Sequence, residues 1–174
     1  DSEQLEKLLS YEEDSAGGIM TPEVIKVRID QTIRDAIRAY READHNEHFF
    51  YVYVVENTGK FVGAIDIHTL LKFPRSTNVN DIMIDEMPII HINDDQEVIA
   101  NIFRKNDLIS APVVDDNNIL VGRITVDDIV DVMEEEAEED VLKMAGTHPD
   151  ELDTRSSFRA AWVRLPWLLI CMTS

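Results

Sequence analysis

The chain repeats one structural pattern twice, and this duplication constrains the fold more than any other feature. Residues 49–72 have the pattern of a strand, a tight polar turn, a second strand and a short helix, and residues 111–133 have the same pattern. Val55 aligns with Val114, and Gly63 aligns with Gly122. Two copies of a half-sized unit predict one pseudo-symmetric domain whose halves complete each other's hydrophobic core.

The two copies also align upstream of these strands. Ile19-Met20 matches Ile82-Met83, and Asp30-Gln31 matches Asp95-Gln96, which predicts extra residues in the first copy around 44–48. Each copy is predicted to start with a short strand, at residues 24–27 and 89–92, followed by an amphipathic helix. The predicted buried positions of these helices are Ile33, Ala36, Ile37 and Tyr40 in the first copy and Val98, Ile99, Ile102 and Phe103 in the second.

Composition limits the class of protein. A chain of 174 residues is long enough for one well-buried core. Its formal charge of −19 argues against a nucleic-acid partner, because a phosphate backbone needs a basic surface. The same charge suits a solvated acidic surface or one that binds cations. Cys171 is the single cysteine, so an intrachain disulfide is excluded, and the polar opening residues predict no signal peptide.

The last predicted helix starts at Val126 and is expected to continue to Met144, with carboxylates along most of its surface. Like charges three or four residues apart destabilise an isolated helix, so a divalent cation or a basic partner would relieve the repulsion. The apolar positions of this helix include Ile129 and Met133, which we expect to be buried across or near a two-fold axis. One carboxylate stripe consists of Asp128, Asp131, Glu135 and Glu139.

The residues from 159 to 174 are apolar and contain Trp162, Trp167 and Arg164. The run is shorter than the roughly 20 residues that span a bilayer. It is predicted to be the truncated start of a transmembrane helix, since tryptophans suit a membrane interface and arginines a cytoplasmic flank. A buried terminal helix is the alternative.

The repeat closes with Gly-Arg-Ile-Thr-Val-Asp-Asp at residues 122–128 and resembles a CBS-domain pair. Residues 11–22, which include Asp-Ser-Ala-Gly-Gly, and the acidic exit resemble the CBS region of MgtE-type magnesium channels. The resemblance implies an α/β tandem CBS pair of two β-α-β-β-α repeats with flanking helices. The implied segments are the end of an upstream helical domain (1–16), CBS domain 1 (17–75), CBS domain 2 (76–133), an acidic connecting segment (134–158) and the start of a first transmembrane helix (159–174).

The resemblance also implies a partner and a ligand. It implies a homodimer at the cytoplasmic face of the cell membrane, attached to the membrane pore domain of the same chain. Several Mg²⁺ ions would bind between acidic faces, which agrees with the preference of this hard cation for oxygen and retained water. The implied ligands are Glu97, Asp107, Asp128, Asp131, Glu136, Glu139 and Asp140, with a backbone carbonyl from Gly17 or Gly18. Neutralising Asp128, Asp131, Glu136 and Glu139 is expected to leave the metal-free fold intact or more stable.

The implied function is that of a magnesium-sensing cytosolic regulatory domain of a magnesium transporter, which gates transport through the Mg²⁺-bridged acidic faces of a CBS homodimer. An adenine-nucleotide-binding regulatory CBS pair with no metal-sensing role is the alternative function. Members of the family bind adenosine nucleotides through a Thr/Ser-x-x-Asp element, which Thr125 and Asp128 match. The first copy departs from this pattern, because Thr69 stands where nucleotide-binding relatives have an acid. ATP is therefore a possible ligand beside Mg²⁺. No nucleophile or phosphate-loop motif is evident, so we expect no enzymatic activity.

Overall fold

The computed structural model describes residues 11–43 and 48–134, which form two similar halves. The first half consists of α1 (Ala16–Ile19), β1 (Lys26–Arg28), α2 (Ile33–Glu42), β2 (Tyr51–Val55), β3 (Phe61–Asp66) and α3 (Ile67–Lys72). The second consists of a 3₁₀ turn (Val79–Asp81), β4 (Ile90–His91), α4 (Gln96–Asn106), β5 (Ser110–Val114), β6 (Leu120–Thr125) and α5, which covers residues 126–134. The β-α-β-β-α order of both halves confirms the predicted α/β fold.

Each half contains one three-stranded sheet with the same topology. The first strand is parallel to the second, and the second is antiparallel to the third, in the orders β1-β2-β3 and β4-β5-β6. A register shift falls at Val54/Val55 in one sheet and at Val113/Val114 in the other. Val54 pairs with Gly63 and Val113 with Gly122, so the predicted alignment of the two copies is confirmed strand by strand.

The predicted upstream alignment is wrong by two residues at one place. Thr32 caps α2 and Asp95 caps α4, so these two residues are equivalent. Before each cap, Gln31 N–H donates to Arg28 C=O and Asp94 N–H donates to His91 C=O. Asp30-Gln31 and Asp95-Gln96 therefore share a dipeptide but not a structural position, because the turn before the helix sets the register.

The amphipathic helices bury a narrower stripe than the sequence predicts. On α2, Ile33 and Ala36 are fully buried while Tyr40, near the end of the helix, is 37% exposed. On α4, Ile99 and Phe103 are buried, as their spacing of four predicts. Val98 is half exposed, so its predicted place on the buried face is wrong: it precedes Ile99 and points to the side of the stripe.

A short segment of each half adds to the sheet of the other half. Thr21 pairs with Arg123 through two backbone hydrogen bonds of 2.8 and 2.9 Å, and Ile84 pairs with Ala64 through two of 2.7 and 3.0 Å. These crossing segments lie so close to Gly122 and Gly63 that a Cβ would meet Thr21 O at 2.9 Å and Ile84 O at 2.6 Å. The two glycines of the repeat are therefore required by the crossing backbone.

The two sheets also meet directly, through a small core of six residues. Phe61 N–H donates to Asn118 C=O at 2.9 Å, and Leu120 N–H donates to Gly59 C=O at 3.2 Å. Gly59 and Asn118 occupy equivalent turns and both have positive φ, of 86° and 62°. The shared core contains Tyr53, Val55, Phe61, Ala64, Val114 and Leu120.

Within residues 11–43 and 48–134, no helix is long and apolar enough to cross a membrane. Residues 1–10 of the predicted upstream helical domain, most of the acidic segment at 134–158, and the predicted transmembrane start at 159–174 lie outside the described residues. α5 starts at the predicted residue, and its expected continuation to Met144 also lies outside them.

One buried hydrogen bond between the halves gives a stability prediction. The hydroxyls of Tyr53 and Ser110 lie 3.0 Å apart, and burial raises the pKa of Tyr53 to about 12, so its proton is retained at neutral pH. Ser110→Ala leaves the buried Tyr53 hydroxyl without this partner and should lower the free energy of unfolding by about 1–3 kcal/mol. Adding Tyr53→Phe should recover part of that loss, which urea denaturation of the two single variants and the double variant would measure.

Thr58→Ala is the matched control for this cycle, since Thr58 loses only an exposed hydrogen bond to Glu56. Its unfolding free energy should stay within about 0.5 kcal/mol of wild type. Additive effects of Ser110→Ala and Tyr53→Phe would show that the two hydroxyls are not coupled.

Candidate functional site

The junction of β6 and α5 holds the Thr-x-x-Asp element that the sequence singles out. The Thr125 N–H donates to Asp128 Oδ2 at 2.8 Å, and the Thr125 hydroxyl donates to the same oxygen at 2.6 Å. Thr32 and Asp35 make the same pair of contacts, at 3.0 and 2.8 Å, where they form the capping box of α2. The Thr125–Asp128 element therefore also has a structural role, because it satisfies the backbone at the start of α5.

A polar cavity of about 540 Å³ opens beside this junction. Residues from both halves surround it, and Thr125 and Asp128 are among them. Thr69, the candidate nucleotide-binding position of the first copy, does not line it. The lining residues are Thr21, His48, Phe50, Arg123, Thr125, Asp127 and Asp128.

Arg123 is a structural centre of this cavity that sequence reasoning missed. Its side chain is buried, and its guanidinium donates to Glu23 C=O at 2.9 Å and His48 C=O at 3.3 Å. The guanidinium also lies 4.8 Å from the centroid of the Phe49 ring. Arg123 thus ties β6 to the first half, and the signal available in the sequence was a lone charge within an otherwise apolar strand.

The mouth of the cavity is negatively charged. A hydrogen bond with the Thr125 side chain lowers the pKa of the exposed Asp127 carboxyl, and the charge of Arg123 acts in the same direction. The Thr125 hydroxyl has a single proton, which Asp127 and Asp128 both attract. Two carboxylates beside a hydroxyl suit a ligand that offers hydroxyl donors or a cation.

The predicted magnesium ligands lie on three separate elements. Glu97 is in the first turn of α4, where its N–H donates to Asp95 at 2.9 Å, and Asp107 ends the same helix in the left-handed conformation. The two are roughly 15 Å apart along the helix axis, so they cannot share one ion. Asp128 and Asp131 lie three residues apart on α5 and therefore on one face.

The Gly18 segment lies against the start of α4. Ala16 N–H donates to Asp94 C=O at 2.8 Å, and Gln96 N–H donates to Asp14 C=O at 2.9 Å. This brings the Gly18 backbone into the neighbourhood of the helix that carries Glu97. Gly18 itself is exposed, and an added Cβ would collide with the carbonyl oxygens of Glu12 and Glu13.

The complete ligand set stays a prediction. Glu136, Glu139 and Asp140 lie outside the described residues. In the part of the chain that the structure describes, no three His, Cys, Asp or Glu side chains converge as metal ligands. The donors that are described all offer oxygen and are mostly exposed, which fits a water-retaining Mg²⁺ shared between separate surfaces.

Comparison with known proteins identifies the family. A family model of the CBS domain matches residues 16–76 and again residues 79–135. The chain belongs to the CBS-domain family and contains a tandem CBS pair.

Within that family, the chain is similar to the CBS region of MgtE magnesium transporters. It is 37% identical over 167 residues to the magnesium transporter MgtE of Enterococcus faecalis, covering 95% of this chain and 37% of the relative. It is 37% identical over 170 residues to MgtE of Thermus thermophilus, covering 96% of this chain and 38% of the relative. The chain therefore spans little more than a third of these curated relatives.

Solved structures agree with this placement. The soluble part of a magnesium transporter matches with a TM-score of 0.70 and 36% identity, over 76% of this chain and 52% of that one. The cytosolic domain of the Mg²⁺ channel MgtE in complex with ATP matches with a TM-score of 0.69 and 36% identity, over 75% and 53%. The predicted recognition of an MgtE-type CBS pair is confirmed.

The capping box changes the expectation for one predicted ligand. Asp128→Asn should lower the free energy of unfolding by about 0.3–1 kcal/mol in magnesium-free buffer, because a neutral amide weakens the hydrogen bonds from Thr125 and removes a negative charge from the first turn of α5. Asp131→Asn is the matched control: Asp131 is exposed on the same helix, and its loss removes only like-charge repulsion. Thermal or urea denaturation should find Asp131→Asn equal to or more stable than wild type; an equal loss in both variants would contradict the capping role.

Proposed function

We propose that this chain is the magnesium-sensing cytosolic regulatory region of an MgtE-type magnesium transporter. The observation that carries the proposal is the 37% identity to such transporters over nearly the whole chain, acidic C-terminal part included. The paired Asp128 and Asp131 on α5 support it from the structure, because they lie on one face of the helix at the start of the acidic run that the sequence continues through residues 134–140. The proposed role is binding and regulation, without catalysis.

The proposed mechanism is electrostatic. Two unit charges about 4 Å apart interact by about 4 kcal/mol at an effective dielectric constant near 20. Without Mg²⁺, facing carboxylates repel and favour separation of the acidic surfaces; with Mg²⁺ bound, bridged carboxylates favour their approach. Several such pairs exceed the roughly 5.5 kcal/mol that moves a two-state equilibrium from 1:99 to 99:1. The closed arrangement would gate the pore.

A homodimer is part of this proposal. Leu71 on α3 is 81% exposed, and Val130, its equivalent on α5, is 47% exposed. Met133 is also exposed, so these helices together offer an apolar surface for a second copy. Ile129, by contrast, is 2% exposed and packs in the core of its own half, so its expected place in the interface is wrong.

The same relatives support a proposal for the cellular placement. We place the CBS pair at the cytoplasmic face of the cell membrane, with a membrane pore domain in the same polypeptide. Residues 159–174 are the proposed start of the first membrane helix, reached through the acidic connecting segment.

Magnesium binding gives the central test. Calorimetric titration of the 174-residue chain with MgCl₂ should show saturable binding, and magnesium should raise the melting temperature, since a ligand at 100 times its Kd stabilises by about 2.7 kcal/mol. The triple variant Asp131→Asn, Glu136→Gln, Glu139→Gln should lose most of both effects. Asp128 is left unchanged in this variant, because its substitution would also lower the stability of α5 and so change the melting temperature without any change in magnesium binding.

A control with the same charge change separates specific binding from general acidity. Asp85→Asn, Glu86→Gln, Asp116→Asn neutralises three exposed carboxylates away from α5. This control should keep the magnesium response of wild type. If the two triple variants lost it equally, or if neither did, the acidic surface after α5 would not be the sensor.

The dimer is tested with two substitutions at equivalent positions. Leu71→Asp and Val130→Asp each place a charge in the proposed interface and should shift sedimentation of the chain from dimer to monomer. Both side chains are exposed in the single chain, so the fold should survive, which circular dichroism would check. Lys72→Asp, an exposed neighbour, is the control. Sedimentation of wild type as a monomer at all concentrations would contradict the proposal.

Adenine-nucleotide binding is the second candidate, and the 540 Å³ cavity favours it. One of the similar structures is an MgtE cytosolic domain in complex with ATP. Asp127 and Asp128 would accept hydrogen bonds from ribose hydroxyls, whereas Thr69 provides no carboxylate in the first half. Titration with ATP in the same buffers distinguishes the candidates: heat with ATP and none with magnesium would favour a nucleotide sensor.

A further inference from the structure

An arginine-rich cavity interrupts the acidic surface of this chain. It has a volume of about 270 Å³ and lies between α2 and the loop that follows α3. Four of its six lining residues are arginines in a chain whose net charge is −19. The lining residues are Arg34, Ile37, Arg38, Arg41, Glu42 and Arg75.

The backbone holds these arginines together. Arg34 N–H donates to Arg75 C=O at 3.0 Å, and Ile33 N–H donates to Thr77 C=O at 3.0 Å. The loop is thus fixed against the first turn of α2, and Arg75 is held beside the helix. Arg34, Arg38 and Arg41 follow at spacings of four and three, which places them on one face of α2.

The arrangement has an electrostatic cost that Asp35 offsets only in part. Like charges at these spacings repel, and Arg34 stands in the first turn of a helix, where the macrodipole disfavours a cation. Arg38 has a partner in Asp35 at 3.6 Å. Hydrogen bonds with Thr32 lower the pKa of the Asp35 carboxyl, and the charges of Arg38 and Arg34 act in the same direction. Among residues 11–43 and 48–134, no carboxylate lies within ion-pair distance of Arg34, Arg41 or Arg75.

We infer that this cavity is a binding site for a small, multiply charged phosphate-bearing anion. Guanidinium groups offer planar pairs of N–H donors that match phosphate oxygens two at a time. The cavity is concave and framed by two elements, so its donors can surround a compact anion rather than lie on a flat membrane surface. Ile37 provides a partly buried apolar base beneath the charged groups.

This site is separate from the cavity at Thr125. The two cavities have no lining residue in common, and the carboxylates at the mouth of the other one repel free phosphate. An anion between α2 and the loop would brace the connection between the two halves, because that loop leads into Val79 and the second half.

The test is calorimetric titration of the 174-residue chain with sodium pyrophosphate in buffer free of divalent cations, with sulfate as a second probe. Wild type should bind pyrophosphate saturably and more tightly than sulfate. Arg38→Gln, Arg41→Gln should weaken binding about tenfold or more, since two charge-assisted contacts are lost. Arg104→Gln, Lys105→Gln removes the same charge from α4 and should change binding less than about twofold.

Other outcomes would overturn the proposal. These are no saturable binding by wild type, equal weakening in both double variants, or binding of wild type to phosphatidylglycerol vesicles without binding to pyrophosphate. If circular dichroism shows that the glutamine variant does not fold, the double variant Arg38→Lys, Arg41→Lys tests the site instead. It keeps the charge but loses the paired donors, so severalfold weaker binding supports the site and unchanged binding refutes it.

Discussion

The fold depends on the exchange of one short segment between the halves. Each sheet has only three strands of its own, and the backbone at Thr21 or Ile84 from the other half pairs with its outer strand. Met20, which precedes Thr21, packs in the core of the second half, and Met83, which precedes Ile84, packs against the core of the first half. Neither half can therefore complete its sheet or its core alone. The cavity at Thr125 depends on the same exchange, since Thr21 forms part of its wall.

The candidate site illustrates how structural and functional roles share residues. Asp128 caps α5, lines the cavity and belongs to the implied magnesium ligands, all with one carboxylate. A hydrogen-bonded cap holds this group at a fixed place, which is useful for a ligand contact, but it also makes neutralisation costly. Asp131, one turn further along α5, is exposed and lies beyond the capping contacts at the start of the helix.

Much of the fold could be predicted because the same pattern of apolar and turn residues occurs twice, so each copy supports the interpretation of the other. The predicted strand boundaries differ from the observed ones by no more than two residues, because the apolar runs are bounded by turn residues in both copies. The upstream register failed at Asp95-Gln96, because a dipeptide match carries less information than the hydrogen bonds of the turn before a helix. The role of Arg123 could not be predicted, since its partners are backbone carbonyls at Glu23 and His48, far away in the sequence. The spacing of residues in the sequence likewise gives little information about the predicted magnesium ligands, because they lie on separate elements of the fold.

The link between the halves has a consequence for how such a chain could arise and misassemble. Two separate half-length chains could exchange the same crossing segments, so the two halves of this chain have the geometry of a fused domain-swapped dimer. After such a fusion, exchange between neighbouring molecules has to be avoided. Here two backbone hydrogen bonds hold the connecting loop to the first half of the same chain. Ile33 N–H donates to Thr77 C=O, and Val79 N–H donates to Gln31 C=O. That attachment keeps Ile84 close to Ala64 of the same molecule, and the high effective concentration of a tethered segment favours closure within one chain over capture by a second copy.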